Sequence, residues 1–410
     1  MIDRLRLPFV ATRVAVLARW LTAHLSRRDP RLWAFGNVKG YRDNPRYLAE
    51  HVARSHPAIR VWWIARGQQE AASARAAGLN VVLAGRPGAR ILRRAGVAFL
   101  SNGFQDLDAS SLGGAFVVDL RHGQGTKRIL LESIEDPAQG TSPLGRARRW
   151  IRRRYVGLRL AQVDMIVAPG EQEKAMYVRA FGGSPSRILV LGSPRFDILL
   201  ARDPVARAET DRIRDRLGVD AGDYLVVWLP TWRDDGDMTW LLPLDSRRLE
   251  QFLGDTRAVI VLKPHPYSDS QAFRDRLPIG ERLRFLPDSD EDVNQLLRAA
   301  DALVTDYSSA AYDFALLDRP IRFFAPDLAA QLRRRRLLPS FERLILARNH
   351  DTWDTLLAEL HELAVRAGDV GDATAAEIRT MSRNMDQPGS CERITTAVAT
   401  AVDVSLGGAT

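Results

Sequence analysis

At 410 residues the chain is longer than one hydrophobic core usually supports, so two domains are expected. Its 46% hydrophobic and 27% charged residues are those of a soluble globular protein, and its single cysteine, Cys391, excludes an intrachain disulfide and a cysteine-based metal cluster. One cysteine fits a reducing compartment and hence a cytoplasmic location, while a net charge of +9, carried mostly by arginine, asks which anionic surface it faces.

Residues 1–28 place Val10, Val14, Leu17, Leu21 and Leu25 on one helical stripe, with Arg19 opposite and Arg6, Arg13, Arg27 and Arg28 at its margins or end. Arginines interrupt the apolar run well before the roughly 20 residues a membrane span needs. Two readings stand: an amphipathic helix lying on a membrane surface, or a helix packed on its domain with a solvated basic face. Short apolar runs follow at Leu32 to Phe35, Val61 to Ala65, Val81 to Leu83, Val97 to Leu100, Phe116 to Val118, Met165 to Val167 and Ile188 to Leu191. Helix-like stretches such as Pro45 to Ser55 and Gln68 to Ala77 lie between several of them, the alternation of a parallel sheet covered on both faces. Between two of these strands, Arg146 to Arg159 holds seven arginines with Trp150, Ile151 and Tyr155 and no acidic residue. Such a segment, with Arg149, Trp150 and Arg153 at its centre, favours anionic head groups. No nucleic-acid recognition motif accompanies the charge, so nucleic acid is not expected as a partner.

After a charged connector from Val205 to Leu217 a second series begins: Tyr224 to Leu229, Ala258 to Leu262, Leu283 to Leu286, Ala302 to Val304 and Ile321 to Phe324. The fold class expected is α/β, two doubly wound Rossmann-like domains facing a cleft. Residues 1–28 form the basic helix, 29–204 the first domain, 205–385 the second, and 386–410 a final helix and tail. Ligands in such sheets bind beyond the carboxyl ends of the strands.

Polar residues gather at those ends. Thr305-Asp306-Tyr307-Ser308-Ser309 closes one strand and opens a helix, which aims backbone N–H groups at one point and suits phosphate. Lys263-Pro264-His265-Pro266 closes another, placing His265 beside the same donor phosphates, so a nucleotide diphosphate donor is expected. Arg195 and Arg233 follow strands through proline-marked turns, where guanidinium groups meet phosphate oxygens; bracing of the interdomain connector is an equal reading for Arg195. In the first domain His122 follows a strand and precedes Gly123, whose missing side chain permits close approach to a ligand. Its imidazole is suited to take a proton from an acceptor hydroxyl.

Read in order, Tyr41-Arg42-Asp43-Asn44-Pro45, His122-Gly123, Gly192 to Asp197, Pro230-Thr231-Trp232-Arg233, Lys263 to Pro266, Thr305 to Ser309 and Phe314 to Asp327 resemble the motifs of the CDP-glycerol:poly(glycerophosphate) glycerophosphotransferase family, a GT-B-like group of teichoic acid and capsule enzymes. The resemblance implies transfer of glycerol phosphate, or another alditol phosphate, from CDP-glycerol or CDP-ribitol to a polyprenyl-diphosphate-linked glycan acceptor, with release of CMP. It implies His122 and His265 as catalytic residues. Gly123, Arg195, Thr231, Arg233, Lys263, Thr305, Asp306, Ser308 and Ser309 would bind the donor, and Asp43, Asn44 and Lys127 would face the acceptor. Peripheral attachment to the inner membrane face, through Arg13, Leu17, Arg19, Leu21, Arg149, Trp150 and Arg153, goes with it. No cofactor is required; Asp306 beside the phosphates leaves a divalent metal open. Where the family has a Trp-His-Gly-Thr-Pro-Leu-Lys type of segment, this chain has Arg121-His122-Gly123-Gln124-Gly125-Thr126-Lys127. A sugar-nucleotide glycosyltransferase of GT-B architecture acting on a cell-envelope glycan is the alternative.

Overall fold

The computed structural model describes residues 18–126, 129–134, 143–182, 184–231, 233, 246–264, 275, 277, 279–286, 292–334, 337–366, 371–383 and 386–406. They form two compact units. The first comprises the described parts of Met1–His122, Leu130–Asp197 and Gly389–Thr410, the second those of Gly123–Ile129 and Ile198–Pro388.

The first unit holds a seven-stranded sheet of β1 (Asp29–Phe35), β2 (Arg60–Ala65), β3 (Asn80–Leu83), β4 (Ala95–Leu100), β5 (Phe116–Asp119), β6 (Met165–Ala168) and β7 (Ile188–Val190). Its order is β3-β2-β1-β4-β5-β6-β7, and every pairing is parallel. Strands buried on both faces need apolar residues at consecutive positions, which is what Trp33–Phe35 and Val97–Leu100 supply. Trp33, Phe35 and Phe99 fill the centre, Phe35 and Phe99 stacked with ring centroids 4.3 Å apart.

The second unit repeats the plan with β8 (Tyr224–Leu229), β9 (Ala258–Leu262), β10 (Leu283–Phe285), β11 (Ala302–Thr305), β12 (Ile321–Phe324) and β13 (Asn349–His350). Its order is β10-β9-β8-β11-β12-β13, again parallel throughout. In each sheet the strand order reverses once, between β1 and β4 and between β8 and β11. At such a reversal the connecting segments leave in opposite directions and open a crevice at the carboxyl edge.

The chain's last helix, Ser390–Ala401, belongs to the first unit. Asp197, the last residue of that unit's second segment, caps it: its carboxylate accepts the N–H groups of Gly389, Ser390 and Cys391, each at 2.8 Å. Gly192 permits the approach, since a side chain there would collide with the Ser390 hydroxyl. Arg393 adds to the docking, its Nε donating to the Leu191 carbonyl at 3.1 Å. At the other terminus residues 18–24 are helical. Arg28, read from sequence as part of a basic margin, instead turns inward and donates to the carbonyls of Leu92, Ala95, Ala23, Ser111 and Gly113. Burial pushes its pKa down to about 10. No helix among the described residues is long and apolar enough to cross a membrane.

Candidate active site

In the second unit the polar strand ends meet at the β8/β11 reversal. Thr305 pairs with Leu229 in register, and its hydroxyl donates to the Leu229 carbonyl at 2.7 Å. One residue on, Asp306 is 1% exposed and accepts from the Thr231 N–H and hydroxyl, from Nη1 of Arg233 at 2.6 Å and from the Tyr307 N–H at 2.6 Å. Arg233 grips a second carboxylate with its other edge, Nε and Nη2 reaching the two oxygens of Asp327 at 2.8 and 3.0 Å. The Tyr307 hydroxyl donates to Asp327 at 2.9 Å, and its ring lies 4.9 Å from the guanidinium. Burial opposes the charge of Arg233, but Asp306 and Asp327 outweigh it and raise its pKa. Burial and the Asp327 charge likewise raise that of Tyr307, which stays a donor. Arg233, expected to meet phosphate, is therefore engaged by two carboxylates of its own unit.

This network fixes the turn that follows. Among the described residues neither the Ser308 nor the Ser309 N–H has a partner, and the Ser308 hydroxyl accepts the Ala310 N–H at 3.2 Å. The helix they open, Ala310–Ala315, has six residues, so the site offers two aimed N–H groups rather than a long dipole. Gly123 lies against it: a Cβ there would stand 2.9 Å from the Ser309 hydroxyl. Lys263 is 6% exposed at the end of β9, the strand next to β8. Its neighbour His265, with Trp232, lies outside the described residues.

In the first unit β5 ends on Asp119, and Arg121 turns the chain with φ of +55°, a left-handed conformation strained for a side-chain-bearing residue. What holds it there is its guanidinium, which pairs with Asp119 at 3.3 Å and stacks on Tyr177 and Phe181. His122 is then left exposed, with Nδ1 at 2.9 Å from the Ser101 carbonyl at the end of β4. A carbonyl only accepts, so Nδ1 carries the proton and Nε2 keeps its lone pair. Crowding by surrounding protein, then the positive charges of Arg121, Lys39 and Arg195, push the His122 pKa down to about 4. The ring is neutral at pH 7, the state a proton acceptor requires.

Asn44, expected to face an acceptor, is 1% exposed and fully engaged. Its amide donates to the Leu120 and Arg121 carbonyls at 3.4 and 2.8 Å and accepts from the Ser193 hydroxyl and the Arg195 N–H at 2.9 and 3.2 Å. It ties three segments together, one of them the turn that leads into His122. Asp43 opens its helix at φ +62°, with Oδ1 3.9 Å from Nη1 of the buried Arg195. Arg195, expected with the donor-binding residues, is a first-unit residue, whereas the other described ones belong to the second. Lys127, Arg13 and Leu17 lie outside the described residues. Arg19 and Leu21 are exposed, as are Trp150 and Arg153, while Arg149 is half-buried. Sequence reasoning missed Asp106, which accepts the N–H groups of Val38, Ser101 and Asn102 at the β1/β4 reversal. It also gave no role to Asp327, Tyr307 or Gln124, whose buried side-chain amide has no partner on either atom among the described residues.

Residues 18–399 match the family described as CDP-Glycerol:Poly(glycerophosphate) glycerophosphotransferase. A teichoic acid poly(glycerol phosphate) polymerase of Staphylococcus epidermidis is 28% identical over 311 residues, 72% of this chain and 40% of that protein. A teichoic acid glycerol-phosphate transferase of Staphylococcus aureus is 35% identical over 175 residues, 40% of this chain and 42% of that one. The chain thus spans less than half the length of these curated relatives. The wall teichoic acid polymerase TagF, soaked with CDPG, matches with a TM-score of 0.75 at 20% identity, covering 98% of both chains, which shows a common fold. By the extent of the family match, the chain belongs to the CDP-glycerol:poly(glycerophosphate) glycerophosphotransferase family.

Proposed function

We propose that this chain transfers glycerol phosphate, or another alditol phosphate, from a CDP-linked donor to a hydroxyl of a membrane-held, lipid-linked acceptor in teichoic acid or capsule-type polymer synthesis, releasing CMP. The observation that carries this reading is the pair of N–H groups at Ser308 and Ser309, unpartnered among the described residues and held at the strand-order reversal of the second unit in a chain of this family. Phosphoryl transfer asks a protein mainly for alignment and charge stabilisation. The two N–H groups and Lys263 face the donor diphosphate, and His265 joins them. The acceptor hydroxyl gives its proton to Nε2 of His122 while its oxygen bonds to the phosphorus bearing the alditol. The bond from that phosphorus to the bridging oxygen breaks, and CMP leaves with the electron pair. Asp306 takes part as an organiser: four donors occupy its oxygens, and no divalent metal is invoked for the reaction.

Attachment to the inner membrane face is part of the same proposal. The helix Pro143–Leu160 exposes Trp150, Ile151, Tyr155 and Leu158, each at 60% or more. At helical spacing these fall on one arc of about 140°, with most of the arginines around the remainder.

The test is incubation with CDP-glycerol, CDP-ribitol and common sugar nucleotides together with a polyprenyl-linked acceptor. CMP release with a mass gain of one alditol phosphate is expected; release of a nucleoside diphosphate with a sugar added overturns the reading. His122→Ala should abolish turnover and leave donor affinity intact, and loss of donor binding in that variant would remove His122 from the base role.

A further inference from the structure

Away from the strand ends, three side chains of the first unit converge on one point. Nε2 of His51 lies 3.0 Å and Nε2 of His56 lies 2.8 Å from the same Glu392 oxygen, Oε2. The three ligand atoms all lie within 4.8 Å of one another. We propose that His51, His56 and Glu392 bind one divalent transition-metal ion of the Zn2+ class, clipping the chain's last helix to the helix Asp43–Ser55.

Two imidazoles and a carboxylate are a donor set that suits such an ion, with water in the fourth position. Bonds of about 2.0–2.1 Å in tetrahedral array separate ligands by about 3.3 Å, so the two observed separations need open only slightly. The frame is built for convergence. His51 lies in the helix Asp43–Ser55 and His56 ends it, its N–H bonded to the Val52 carbonyl at 2.9 Å. Glu392 stands in the first turn of the helix Ser390–Ala401, and its other oxygen accepts the Thr396 hydroxyl at 3.3 Å, which leaves Oε2 for the histidines. His56 is buried, His51 half-buried and Glu392 exposed, so the cluster is open on one side for an ion and its water. Cys391 is not a fourth ligand: its thiol is buried and faces the Pro194 carbonyl at 3.8 Å. The clip lies at the opposite end of the helix Asp43–Ser55 from Asn44, and its occupancy adjusts the stability of the first unit rather than the chemistry.

The full chain, stripped with chelator and dialysed, is titrated with Co2+ alone and then with Zn2+. One equivalent of Co2+ should give a visible d–d absorption that Zn2+ displaces, and Zn2+ should raise the thermal midpoint. Glu392→Gln and His51→Ala should each weaken Co2+ binding more than the about 10- to 100-fold lost on changing an outer-shell partner. His122→Ala should leave the absorption unchanged. A chain that takes up no Co2+, or takes it up equally in wild type, Glu392→Gln and His51→Ala, overturns the proposal, as does a signal that disappears with His122→Ala.

Discussion

His122 gains its character from its neighbours. Its lowered pKa keeps the basic form populated above about pH 4, so the acidic limb of kcat/KM belongs near 4 rather than at the usual histidine value near 6.5. With CDP-glycerol as donor, kcat/KM should be flat from pH 7 down to about 5 and then fall; a limb near 6.5 would show that neither the crowding nor the cations around the ring lower its pKa. Gln124 offers a second case. Among the described residues both atoms of its buried amide are unpartnered, which costs on the order of 1–3 kcal/mol, so Gln124→Met should stabilise the chain by about 1 kcal/mol in urea unfolding. It should also raise KM with kcat unchanged if a substrate supplies the missing partner, and an unmoved KM would leave Gln124 without a role in binding. His122 was legible because a histidine followed by glycine at a strand end has few structural reasons to be there. Asn44 was not, because its partners stand 76 to 151 residues away along the chain, beyond any local pattern.

At the scale of elements, the pairing of β8 with β11 rests on charge as well as backbone. Arg233 is nearly dry and held by Asp306 and Asp327, so removing Asp327 leaves its charge paired with Asp306 but takes the acceptor from its Nε and Nη2 and from the Tyr307 hydroxyl. Asp327→Ala should therefore cost about 1–3 kcal/mol in denaturant unfolding and weaken donor binding as the Ser308–Ser309 turn loosens. A loss below about 1 kcal/mol would mean the pair is better solvated than its burial implies. The exposed helix Pro143–Leu160 permits a different test: Trp150→Ser with Tyr155→Ser should weaken sedimentation with anionic vesicles while leaving folding intact, and unchanged sedimentation would remove it as an anchor. Strands such as β4 and β9 were readable because burial on both faces demands unbroken apolar runs. The two-residue β13 carries no such run, and only its place beside β12 makes it a strand.

At the scale of the molecule, the two-domain α/β plan follows from length and alternation, but the path of the chain does not. The first unit is completed by the chain's last residues, and nothing in the periodicity of Ser390–Ala401 says which sheet it covers. Its apolar stripe does the choosing: Cys391, Ile394, Val398 and Ala399 are buried in one cluster with Leu48, Val52 and Trp33. Burying Ile394 and Val398 alone is worth about 1.5–3 kcal/mol each, and the three N–H groups on Asp197 add to it. That sum approaches the roughly 5–15 kcal/mol by which whole domains are stable. Ending the chain at Pro388 should consequently unfold the first unit and spare the second. Limited proteolysis of the shortened protein should yield a protected fragment beginning near residue 198, with the first unit digested. Equal protection of both units, at the same thermal midpoint as the full chain, would show that the last helix decorates the first unit without holding it together.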